Sequence, residues 1–246
     1  MRTANPALNA KTFTGFARVN DTGTMTIQGT VNKTALLLLL VLFSSSWIWN
    51  LYFSTSDPGV VVPWVFGGLI SGFIVALVTV FKKQWAMLMA PIYALLEGLA
   101  LGGISAIFEA RFPGIVIQAV GLTFGTLFCL LMAYKSGMIK VTENFKLGVV
   151  SATGAIALFY VISFLLGMFG IPIPFIHGSG IIGIGFSLFV VGIAALNLVL
   201  DFDFIENGAA RGVPQYMEWY AAFGLIVTLV WLYIEILRLL SKLRSR

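Results

Sequence analysis

The chain has 246 residues, of which 59% are hydrophobic and only 10% charged, against about 25% charged in soluble domains. That composition excludes a soluble domain and leaves a membrane protein that crosses the bilayer several times. The net charge of +5 comes from loops and tails, and no basic run stands beside exposed aromatics. It reads as topology and attraction to anionic lipid rather than nucleic-acid binding.

Residues 1–31 are polar and mixed. They lack a charged-then-apolar run followed by a small-residue cleavage site, so they read as a short cytoplasmic tail and not a signal peptide. The end of this tail, TMTIQGTVNKT, either pairs locally or lies along the membrane face. Seven apolar spans follow: Thr34–Phe53, Val60–Phe81, Trp85–Phe108, Pro113–Tyr134, Leu147–Gly170, Ile181–Phe204 and Met217–Leu240. Each reaches the roughly 20 residues that a helix needs to span a bilayer. Lipid offers no hydrogen bonds, so runs of this length must be helices, whereas barrel strands would be shorter and alternating. The expected fold is an all-α integral membrane protein with seven transmembrane helices. Residues 32–241 make one membrane domain and 242–246 a basic C-terminal tail.

Several residues inside or between the spans have structural readings. Gly68-xxx-Gly72, Gly98-xxx-Gly102 and Gly121-xxx-Gly125 put small residues on one helical face, where backbones can approach closely. Cys129, alone in its chain, makes no internal disulfide or metal cluster and reads as a packed core thiol. The proline-rich IPIPFIHGSG segment (171–180) ends the fifth helix. Its His177 reads as a loop residue near the outer interface rather than a pH sensor.

Orientation follows from the positive residues, which stay on the cytoplasmic side. Ten fall on one side: Arg2, Lys11, Arg18 and Lys33 before span one, Lys82 and Lys83, then Lys135, Lys140 and Lys146, then Arg211. The alternate loops hold only Arg111. The N-terminus is therefore expected inside. Arg238, Lys242, Arg244 and Arg246 break the pattern. Either the tail sits outside, or the last segment is re-entrant and six crossings return it inside; seven crossings are preferred.

Acidic residues at bilayer depth are rare and mark ion or proton paths, because each costs at least about 2.5–3.5 kcal/mol. Glu97 lies mid-span in PIYALLEGLALGG and reads as a cavity-lining carboxylate. Asp201 and Asp203 lie near the inner end of span six and point about 200° apart, so they cannot share one cavity. Asn197, one turn before Asp201, shares its face and makes Asp201 the inward candidate. Asp203 reads as an interface marker. Glu235 in VWLYIEILRLL has two readings, a bundle-facing carboxylate or a helix-surface pair with Arg238. Two carboxylates at close range in low dielectric cannot both ionise cheaply, so such a pair shares a proton. When ionised, its oxygens suit Ca²⁺. The chemistry alone allows a cation path, a proton relay or both, with Glu97, Asp201 and Glu235 as the candidate carboxylates and transient Ca²⁺ ligands, and Asn197, Asp203 and Arg238 as accessories.

APIYALLEGLALGGISAIFE, GIVIQAVGLTFGTL, VTENFKLGVVSATGAI, GFSLFVVGIAALNLVLDFDFIE, WLYIEILRLL and the early NPALN resemble the transmembrane Bax inhibitor motif family in its bacterial form, over nearly the whole chain. The resemblance implies six helices around a central seventh and a multi-pass protein of the bacterial cytoplasmic membrane. It also implies a pH-dependent calcium leak. The family's pH-sensing pair would fall on Asp201 in LDFDFI and on Glu235 in LYIEIL, where a glutamate stands for the family's aspartate. Two departures stand out. No Arg or Lys occurs in span two, and 34 residues separate Asp201 from Glu235. The excess is expected in NGAARGVPQYMEWYAAF, as an interfacial helix before span seven.

The leading expectation is a passive, pH-modulated cation leak. The second is a non-conducting interaction protein that modulates a membrane-anchored AAA protease or a stress response, as some relatives resemble. An enzyme is not expected. One loop histidine cannot build a metal hydrolase site, the second aspartate of an intramembrane aspartyl protease is missing, and span seven lacks a retinal lysine before Lys242. No cofactor is implied.

Overall fold

A computed structural model describes residues 23–170 and 178–245. Arg2, Lys11, Arg18, Arg246, the NPALN segment and His177 lie outside the described residues. Seven helices are long and apolar enough to cross a membrane. They are α1 (Ile27–Thr55), α2 (Pro58–Phe81), α3 (Ala86–Arg111, preceded by a 3₁₀ turn at Lys83–Trp85), α4 (Ile115–Lys135), α5 (Glu143–Met168), α6 (Ile181–Ala210) and α7 (Met217–Arg244). Exposed Phe43, Phe73, Phe128 and Phe164 cover the outward faces, the reverse of a water-soluble fold, and suit contact with lipid. The most buried helices are α7 and α3, at 56% and 50% of their most apolar stretch, against 33% or less elsewhere. In the family resemblance α7 takes the central place.

Local chemistry sets the ends. Thr26 caps α1 by accepting from the Gly29 amide, so the helix begins at Ile27, inside the expected tail. Asp57 and Pro58 start α2, an N-cap followed by a proline whose missing N–H is not needed there. Thr142 caps α5, which places Lys146 inside a helix and not in the preceding loop. At the other end α7 continues to Arg244, so Lys242 and Arg244 are helical. Within the spans, Thr34, Thr79 and Thr123 donate to the carbonyls four residues earlier, which satisfies hydroxyls that lipid cannot.

The chain divides into two compact units. One holds α1, α2 and α3 with residues 204–227. Here α3 packs on both α1 and α2, around buried Ile48, Val61 and Ala106. Glycine makes these contacts possible. A Cβ at Gly68 would lie 2.6 Å from the Leu96 carbonyl oxygen, and one at Gly102 would lie 2.5 Å from that of Ser45. The third glycine pair differs from expectation: Gly121 and Gly125 have nothing within 4 Å. Cys129 is exposed and not packed in a core, because only 17% of α4 is buried.

The same unit carries a clasp. Thr24 forms an antiparallel bridge with Pro214, with Met25 N–H donating to the Val213 carbonyl at 2.8 Å and Gln215 N–H to that of Gly23 at 2.9 Å. Thus TMTIQGT pairs with the turn between α6 and α7 and then enters α1. Gly212, at φ 61°, provides the left-handed residue for that turn. Buried Glu218 accepts from the Thr26 amide and hydroxyl, both at 2.8 Å, and from the Lys33 ammonium. The expected interfacial helix is absent: 204–210 complete α6 and 217–223 begin α7.

The other unit holds α4, α5, residues 181–203 of α6 and 228–245 of α7 among those described. It carries both carboxylates of the expected pair.

Candidate functional site

Asp201 is fully buried. Neither of its carboxyl oxygens has a hydrogen bond of normal geometry, and the Thr228 hydroxyl of α7 stands beside them. A buried polar group left without a bond costs about 1–3 kcal/mol, and the Thr228 hydroxyl is the group placed to offset that cost. One turn along α6, Asn197 uses both amide hydrogens. It donates to the Thr153 hydroxyl of α5 at 2.9 Å and to the Ile193 carbonyl at 2.8 Å.

Glu235 is also buried, at 2% exposure, and it is fully engaged. The Tyr160 hydroxyl of α5 donates to it at 3.1 Å. Arg238 donates to both carboxylate oxygens, at 3.1 and 3.3 Å, and to the Tyr160 oxygen at 2.9 Å. Both sequence readings of Glu235 therefore hold together: it faces inward, and it pairs with Arg238.

The shared proton between Asp201 and Glu235 is corrected. Sharing requires an O–H···O bond, and Asp201 has none. The reason is register: Asp201 sits level with Thr228, and Glu235 is seven residues further along α7, about 10 Å at 1.5 Å per residue. They are separate stations. Asp203, read as an interface marker, has a partner on another helix. It forms an ion pair at 3.1 Å with Lys146 of α5, with the two side chains only 13% and 5% exposed.

Glu97 belongs to the unit of α1–α3. Its carboxyl bonds to the Tyr93 hydroxyl one turn earlier, and one oxygen lies 3.4 Å from where a Gly72 Cβ would stand. The glycine face of α2 thus leaves room for this carboxyl. No cluster of three or more metal-ligating side chains occurs among the described residues.

The family model for Bax inhibitor 1 like proteins matches residues 5–245. The chain belongs to that family. No curated protein and no solved structure matches it. As a Bax inhibitor 1 like protein it is a multi-pass membrane protein, which agrees with its seven spans.

Reasoning from the sequence missed Lys146, Thr153, Tyr160, Thr228 and Lys242. A signal was present. Lys146, Thr153 and Tyr160 recur every seven residues on α5, and Thr228, Glu235 and Lys242 do so on α7. Seven residues are about two turns, so each set lines one helix face.

Proposed function

We propose that this Bax inhibitor 1 like protein is a passive, pH-modulated cation leak with Ca²⁺ as the permeant ion. Asp201 is its ion-holding carboxylate and Glu235 its second station. The reading rests on one observation, the fully buried Asp201 carboxyl without a hydrogen bond. A hard cation takes carboxylate and hydroxyl oxygens, and Asp201 with Thr228 offers both. Glu235, neutralised by Arg238, tunes the field along the route. Calcium is the ion that the family resemblance implies. The two carboxylates act as separate stations, not as a dyad, so substitution of either one alone alters the flux.

The test is Ca²⁺ entry into proteoliposomes across roughly pH 5–8, with wild type, Asp201→Asn and Glu235→Gln. Wild type conducts above empty vesicles. Asp201→Asn lowers the flux several-fold at every pH, and Glu235→Gln keeps flux but changes its pH profile. Wild-type flux no greater than that of empty vesicles would sink the reading and favour a non-conducting interaction protein.

A further inference from the structure

Polar side chains line the facing surfaces of α5, α6 and α7 at successive depths. At one end stands the Lys146–Asp203 ion pair. Next come Asp201 and Thr228, then the Asn197–Thr153 bond, then Tyr160 with Glu235 and Arg238. At the far end the buried Lys242 ammonium donates to the Ser187 hydroxyl at 2.8 Å and the Gly183 carbonyl at 3.1 Å. From Asp203 to Ser187 is 16 residues of α6, about 24 Å of helix. That is most of the hydrocarbon thickness of about 30 Å.

Such a file is expensive in lipid, since every unbonded polar atom costs free energy. Yet two of its side chains are without bonds. Both oxygens of Asp201 are buried and unbonded, and so is the hydroxyl of Ser163, one turn beyond Tyr160 on α5. The unbonded groups fall on opposite sides of the Asn197–Thr153 level. At that level a neutral side-chain bond links two helices: one Asn197 amide hydrogen goes to Thr153 of α5 and the other to the Ile193 carbonyl of its own helix. Asn197 is 2% exposed and lies about 6 Å along α6 from Asp201.

We propose that the Asn197–Thr153 hydrogen bond is the gate of an ion route running between α5, α6 and α7, closing passage between the Asp201 and Glu235 stations. The proposal rests on the leak reading and supplies its route and its barrier. An ion that leaves Asp201 must break this bond before it reaches Glu235. When the bond opens, the Thr153 hydroxyl and the Asn197 amide become ligands in place of a block. Arg238, whose side chain is 37% exposed, swings toward the headgroups to clear the next level.

The test uses three variants of the full-length protein in the same proteoliposomes. Asn197→Ala and Thr153→Val each remove the bond and so raise Ca²⁺ flux. Thr153→Ser keeps the hydroxyl and retains wild-type flux. One hydrogen bond shifts an opening equilibrium by roughly two- to tenfold, so a rise of that size is expected in both bond-breaking variants. A merely structural bond would lower thermal stability in both without raising flux, and that outcome overturns the gate. Unchanged flux in both variants, with Asp201→Asn still impaired, also overturns the gate but leaves the leak standing. Absence of wild-type flux defeats the leak itself.

Discussion

Replacing Asp201 with leucine should stabilise the protein. Leucine repeats the branching of aspartate, one carbon carrying two terminal atoms, and needs no hydrogen bond. The wild-type carboxyl is wholly buried and unbonded, which costs about 1–3 kcal/mol. Leucine removes that penalty and adds apolar burial. Its bulkier methyls crowd Thr228 and offset part of the gain, so a net gain of about 1–2 kcal/mol is expected. For a chain of this size that raises Tm by about 2–8 °C. Glu235→Leu gives the opposite sign, because it strips partners from Tyr160 and from Arg238. Arg238 is partly exposed and can re-solvate, so the loss is about 1–3 kcal/mol, a fall in Tm of about 2–12 °C. The assay is thermal unfolding in detergent, followed by tryptophan fluorescence, on both variants and wild type. Asp201→Leu should at the same time lose Ca²⁺ flux. A Tm for Asp201→Leu that falls as far as that of Glu235→Leu would refute the reasoning, since it would mean that the Asp201 carboxyl is bonded in the folded protein.

Three further outcomes are expected. Glu218→Ala and Lys33→Ala should each lower Tm, while the double variant should lose less than their sum, because the two side chains form one ion pair; additive losses in a double-mutant cycle would reject the coupling. Gly98→Val should destabilise, since a Cβ there meets Val41 backbone and the Ser44 hydroxyl, whereas Gly121→Val, with nothing within 4 Å, should leave Tm within a degree or two of wild type. In a Cys129→Ala background, cysteines at 140 and 244 should be labelled from opposite sides of the membrane if all seven helices cross; labelling of both from the cytoplasmic side would restore the six-crossing alternative.

The helices were legible because lipid permits so little else. Twenty apolar residues in a row force a helix, and α2 and α7 begin within two residues of the expected positions. Ends set by polar chemistry were harder to read. The start of α1 depends on Thr26 and on Glu218, almost two hundred residues away, and no local pattern reveals that. At the site, Asn197 and Asp201 share a face as their spacing requires, and both are buried. The inward aim of Glu235 was also legible, from the apolar residues around it. What spacing along one helix could not give was register between helices. That register sets Asp201 opposite Thr228 and leaves Glu235 two turns away. Lys146 was hidden for a related reason: a lysine at the edge of an apolar run reads as a loop residue until a partner such as Asp203 is found on another helix.

The clasp between α1 and α7 also sets an order of events in biosynthesis. Lys33 emerges 185 residues before Glu218, and at about 5–20 residues per second it waits roughly 10–40 s for its counter-ion. During that interval the first helix is already in the bilayer, its free lysine still available to hold it to one face as the later helices are threaded. Only when the seventh helix arrives does this charge change from a topological anchor into a structural bond. Assembly is therefore finished from the last helix back to the first, and a ribosome that stalls before residue 218 leaves a chain that is inserted but not fastened.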